Sequence, residues 1–215
     1  TLFGVLVFSS SMRSWLRVFV GKHFFSYRYD YREEWLRFTA MLSSKRSPQE
    51  MGDLILRGLA KLVECPAGAL WARVGNEGDF LQVARWNASI ETHAEPPDSS
   101  LCTFMRTHSW VIDLDEFRSS PRRYESLVLP TWLLGAPKTW LVVPLLAGDE
   151  LMGFVLLARP LTPIKLNWEV LDLLKTAGRQ AAAYLAQMQA TEALLEARKF
   201  EAFNRMSAFV VHDLK

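Results

Sequence analysis

Thr139-Trp140-Leu141-Val142-Val143-Pro144-Leu145-Leu146 and Leu151-Met152-Gly153-Phe154-Val155-Leu156-Leu157-Ala158 are two apolar runs joined by Ala147-Gly148-Asp149-Glu150. Strand-length apolar runs around a Gly-Asp turn predict adjacent antiparallel strands, buried on at least one face. Gly153 sits inside the second run, and a glycine there marks a close approach of another backbone. Outward from this pair, residues 69–74 and 80–86 flank Gly75-Asn76-Glu77-Gly78 and read as a hairpin. Residues 91–98 read as a loop. Ser99 and Ser100 cap a short helix through Met105 and His108, followed by a strand over 110–114.

Upstream, Ser47-Pro48-Gln49-Glu50 reads as an N-cap, a proline at the first helical position and an acidic first turn. The helix it opens runs to about Val63, with Met51, Leu54, Ile55, Leu59 and Leu62 on one buried stripe. Trp35, Leu36, Phe38 and Leu42 place another helix over 32–42. From Asn167 onward there is no proline and one glycine, so the chain reads as one helix of roughly 70 Å. Steps of three and four give a seam of Leu171, Leu174, Gly178, Ala181, Leu185, Met188, Leu195, Ala202, Met206 and Phe209, broken by Glu192 and Lys199. Pairing with a second copy is the expectation for this helix, and a single solvated helix is the alternative. The fold class is therefore α+β, a central antiparallel sheet flanked by helices and followed by a long coiled-coil helix.

The first eight residues are almost wholly apolar, and Arg13, Arg17, Lys22 and Arg28 follow among Trp15, Phe19, Phe24 and Phe25. Eight residues cannot span a ~30 Å hydrocarbon layer. They suit the cytoplasmic end of a membrane helix, with the basic residues on the inner side. A buried N-terminal strand with a basic flank is the other reading. Net charge is +2, from 25 basic against 23 acidic residues, which supplies no global basic field for phosphate contacts, so direct nucleic-acid binding is not expected. Two cysteines cannot staple a disulfide framework. No Gly-rich phosphate loop, metal-ligand cluster or Ser/His/Asp spacing is evident. Haem ligation is one reading of His93 and His108, and surface residues on a loop and at a helix end are the plainer one.

The element order, with Trp140 to Leu146 followed by Gly148-Asp149-Glu150-Leu151-Met152-Gly153-Phe154-Val155-Leu156-Leu157, resembles a GAF domain, a small-molecule-sensing module, over roughly residues 36–185. The resemblance implies a sensor pocket, for which Trp71, Trp86, Cys102, Phe104 and Trp140 are the candidates, with ligand unknown; core packing is the plainer role for the same residues. Phe209-Val210-Val211-His212-Asp213-Leu214-Lys215 resembles the phosphoacceptor box of sensor histidine kinases. A neutral imidazole, with an ordinary pKa of ~6.5, keeps one nitrogen lone pair free to attack the γ-phosphorus of ATP. Asp213 would orient His212 or take its proton, and Lys215 would help neutralise phosphate charge. A His-Asp pair on a helix is commonly just a surface feature; its place after a sensor-like domain selects the phosphoacceptor reading.

The run Lys22 to Phe38, with Phe200-Glu201-Ala202-Phe203-Asn204-Arg205-Met206, is similar to the PrsK family of PEP-CTERM-system sensor histidine kinases. That family is membrane-anchored and associated with exosortase and exopolysaccharide gene clusters. The expected organisation is the end of a transmembrane helix at 1–10, a juxtamembrane linker at 11–35, a GAF-like sensor at 36–165, a signalling helix at 166–205 and the start of a dimerisation and phosphoacceptor domain at 206–215. The resemblance implies a protein-histidine kinase at the inner membrane, with this segment on the cytoplasmic side. It also implies a homodimer through residues 166–211, a cognate response regulator, and an ATP-binding domain holding ATP and magnesium outside this chain, without which the fragment is inactive. No resident metal is expected. The alternative is a non-catalytic, dimeric GAF-type regulator that binds a small molecule.

Overall fold

The structure is a computed structural model that describes residues 36–42, 48–73, 78–89, 92–125, 127–136, 138–162, 164 and 166–213. Two compact units are present, Thr1–Met41 and Leu42–Lys215. In the first, residues 36–41 are helical. The expectations for 1–10 and 11–35 lie outside the described residues.

In the second unit, α1 (Pro48–Leu62) begins at the expected proline, with Glu50 in its first turn and Lys61 in its last, charges that complement the helix dipole at each end. Its Ile55, Leu56 and Leu59 are fully buried. Strands β1 (Gly68–Arg73) and β2 (Phe80–Trp86) form the expected hairpin. Helix α2 (Ser100–His108) is capped by Ser99, whose side chain accepts from the Cys102 backbone N–H. Then come β3 (Ile112–Asp113), α3 (Leu114–Ser119), a 3-10 turn (Pro121–Tyr124) and α4 (Thr131–Leu134). Strands β4 (Thr139–Ala147) and β5 (Glu150–Ala158) precede α5 (Trp168–Asp213). The five strands form one antiparallel sheet in the order β2-β1-β5-β4-β3.

The strand expected over 110–114 is cut to two residues. Asp113 ends it by turning its carboxylate onto the backbone N–H groups of Asp115 and Glu116, at 2.9 and 3.3 Å. An acidic N-cap of that kind opens a helix, and the local capping outweighs the β-branched pattern before it. Burial raises the Asp113 carboxyl above its ordinary range.

β4 and β5 are buried along almost their whole length because both faces of the sheet are covered. On one face, α1 lies over β1 and β2 and α5 lies over β4. The other face carries the cluster of Trp71, Phe80, Leu101, Phe104, Met105 and Phe154 under α2 to α4. Two glycines set the spacing. A Cβ on Gly153 would sit 2.2 Å from the Trp71 carbonyl oxygen, and one on Gly178 would sit 2.6 Å from that of Pro144. The first lets β5 press against β1; the second lets α5 lie directly on β4.

The seam along α5 consequently has two fates. Leu174, Gly178, Ala181 and Leu185 are buried, and the expected inter-copy packing of this part is corrected, since its own sheet already fills the role. Small residues here serve helix-on-sheet contact. From 190 to 201 every residue is exposed.

Candidate functional site

Trp71 lies in the middle of β1, fully buried, and donates its indole N–H to the His93 carbonyl at 2.7 Å. Its ring stacks on Phe154 at 5.5 Å and on Trp132 at 5.2 Å. Trp132, on α4, in turn stacks against His93 at 5.7 Å and donates its indole N–H to Glu95 Oε2 at 2.9 Å. Phe154, Trp71, Trp132 and His93 thus form a run of near-parallel rings leading outward from the core. Glu95 is buried at 3% exposure, a position that costs free energy unless the carboxylate is hydrogen-bonded. The Trp132 indole meets that need, and backbone bonds in both directions with Phe80 hold the residue in place.

The outer end of this run opens into a groove of about 530 Å3 at the end of the sheet, where β1 and β4 begin and β5 stops. Its sides are made of small residues, among them Gly68, Gly135, Ala136 and Ala158, with Trp132, His93, Lys138 and Thr139 supplying rings and polar groups. The five sensor-pocket candidates are not among its lining residues. Trp71, Cys102 and Phe104 belong to the core cluster beneath α2 to α4. Trp140 is buried on β4, and Trp86 is half-buried at the end of β2. Phe104 stacks on His108 at 4.3 Å and meets Trp110 edge-on.

Cys102 is fully enclosed, and burial pushes its thiol up to about 11; Cys65 is pushed up to about 12 for the same reason. A thiol held in its neutral form is a poor nucleophile, so neither site favours thioether or redox chemistry. Among the described residues no group of three or more His, Cys, Asp or Glu side chains is arranged to hold a metal, and no helix is long and apolar enough to cross a membrane. His212 and Asp213 fall in the last turn of α5, and Lys215 lies outside the described residues.

His93, Glu95 and Lys138 were not legible as site residues. They sit in irregular segments whose place beside Trp132 and the groove is decided by the fold, and no spacing in the sequence marks them.

Residues 47–187 match the GAF domain family. The chain belongs to the GAF family. Solved structures share the fold at low identity. The GAF domain of a phosphoenolpyruvate-protein phosphotransferase from Acinetobacter superposes with a TM-score of 0.56 at 16% identity, over 74% of this chain and 93% of that one. Residues 122 to 287 of a methyl-accepting chemotaxis protein give 0.55 at 16% identity, over 73% and 99%. A GAF domain assigned to a sensor histidine kinase of Pseudomonas syringae pv. tomato gives 0.52 at 18% identity, over 79% and 94%. No curated protein matches the chain.

Within this GAF domain a series of contacts leads from the groove to the long helix. Trp132 holds Glu95, the Glu95 backbone pairs with Phe80, and the Arg73 guanidinium lies 5.0 Å from the centre of the Phe80 ring. The Arg73 carbonyl then accepts a hydrogen bond from Gln189 Nε2 at 2.8 Å. Gln189 is where α5 leaves the sheet, since the residues from 190 to 201 are exposed.

Proposed function

We propose that the chain is the sensory-input and phosphoacceptor portion of a membrane-bound two-component sensor histidine kinase of the PrsK type, with His212 as the phosphate acceptor. The observation that carries this reading is the unbroken helix Trp168–Asp213, which begins on the GAF sheet and runs through the His212-Asp213 pair. A sensory domain that presents a His-Asp pair at the end of its exit helix, roughly 35 Å beyond the last tether at Gln189, has the geometry of an input arm.

In this reading the neutral His212 imidazole attacks the γ-phosphorus, an N–P bond forms as the P–O bond to ADP breaks, and Asp213 takes the ring proton or holds the tautomer. Lys215 offsets phosphate charge. ATP and its magnesium ion belong to a separate ATP-binding domain of the same protein, and a response regulator receives the phosphate. The exposed apolar side chains Leu194, Leu195, Phe200 and Phe203 would pair with the same stretch of a second copy. Occupancy of the groove, or motion of an N-terminal membrane helix, would shift the Arg73–Gln189 tether and with it the packing of that pair. Exopolysaccharide or exosortase-linked genes would be the output.

The test is phosphotransfer from ATP in the full-length protein, wild type against His212→Gln. Loss of acid-labile label in the variant supports the reading, and label persisting in it contradicts the assignment. A non-catalytic GAF regulator would take no label in either form.

A further inference from the structure

The groove at the sheet end combines three properties that specify a ligand. It is open because glycine and alanine at 88, 135, 136 and 158 place little bulk into its ~530 Å3, a volume in the range of small-molecule sites. Its wall is aromatic and fixed: the Trp132 and His93 rings lie 19° from parallel, with Trp132 backed by Trp71 and pinned by Glu95. A ring already held in place loses little freedom when another ring stacks on or beside it. The charge is positive. Among the described lining residues Lys138 is the one with a fixed charge, none carries a carboxylate, and its ammonium has no ion pair among the described residues. The buried Glu95 carboxylate is bonded to the Trp132 indole instead.

We propose that this groove binds a planar aromatic anion, with its ring against Trp132 and His93 and its charge at the Lys138 ammonium. An aromatic cation would meet Lys138 as a like charge, and an aliphatic anion would leave the ring wall unused. The neighbouring hydroxyls of Ser89 and Thr139 supply donors for a second oxygen of a carboxylate. The inference rests on the sensory half of the reading above and not on His212.

The experiment is calorimetric titration of the chain with 2-naphthoate and with its uncharged counterpart, 2-naphthylmethanol. Saturable binding of the acid is expected, tighter than that of the alcohol by roughly tenfold or more, as for a charge-assisted hydrogen bond. Lys138→Met, at an exposed position and with an unchanged thermal melt, should remove that difference while leaving the alcohol unaffected. His93→Ala should weaken both by roughly two- to tenfold; the Trp71 indole bonds the backbone carbonyl of residue 93, which this variant keeps. Equal affinity for acid and alcohol, no loss in Lys138→Met, or no saturable binding of either would overturn the proposal. A protein that binds naphthoate but takes no phosphate keeps this site and loses the phosphoacceptor role, and the reverse result loses this site alone.

Discussion

The two halves of α5 are one continuous helix with two different surroundings. Up to Gln189 it lies on β4, and its buried stripe sets Ala177, Gly178, Ala181 and Ala182 between Leu174 and Leu185. Beyond that its large apolar residues, Leu194, Leu195, Phe200 and Phe203, stand more than half exposed. Leucines occur in both halves, so the difference lies in the small residues set among them, with Gly178 allowing contact with the Pro144 carbonyl. Close contact between a helix and a flat, close-packed sheet needs small residues, whereas large apolar residues left in water invite a partner surface. An apolar period of three and four alone does not say whether the partner is the chain's own sheet or a second copy.

Substitutions on the two halves should therefore behave oppositely. The largest effect is expected for Leu174→Ala, at a fully buried position, which should cost about 2–5 kcal/mol of unfolding free energy in a denaturant titration. Gly178→Ala comes next, at about 1–3 kcal/mol, because its new Cβ must push α5 off the Pro144 carbonyl. Gln189→Leu removes one hydrogen bond to the Arg73 carbonyl and should cost about 0.5–1.5 kcal/mol. It should also uncouple naphthoate binding from any change in helix pairing, which pairing measured with and without the ligand would show. Leu195→Ala, on the exposed half, should change the stability of the isolated chain by no more than about 0.5 kcal/mol yet weaken self-association measured by sedimentation. A large stability loss at Leu195 together with none at Leu174 would reverse the comparison.

The cysteines give a smaller, pH-dependent check on the sheet-bound region. Burial holds Cys102 at about 11 and Cys65 at about 12 against an ordinary value of 9.0. Between pH 9 and 11 the unfolded chain releases thiol protons that the folded chain retains, so stability should fall as pH rises through that window. Near pH 8 both thiols should label with iodoacetamide at least tenfold more slowly in the folded chain than in denaturant.

Much of this was legible in residues whose environment is local. The two runs at 139–146 and 151–158 could hardly be anything but paired strands, and Gly153 announced a close backbone approach, which the fold makes with β1. Ser99 and Pro48 marked helix starts through backbone chemistry a few residues long. The errors came where distant parts decide. Asp113 ends a strand by capping, while the spacing of Gly178 and Ala181 fits an inter-copy seam although Pro144, far away in sequence, is what Gly178 accommodates. The groove was hidden for the same reason: His93 and Glu95 reach Trp132 from one loop and Lys138 lines the groove from another segment, and no spacing rule joins them. The five aromatic and cysteine candidates were residues with pocket chemistry, three of which the fold spends on its core.

Disulfide crosslinking tests the division of α5 most directly. Single cysteines at residue 181 and at residue 195 would be compared, each under mild oxidation of the chain in solution, where the enclosed Cys65 and Cys102 stay unreactive. The account predicts covalent dimers for Leu195→Cys and none for Ala181→Cys. Dimers through residue 181 with none through residue 195 would contradict it.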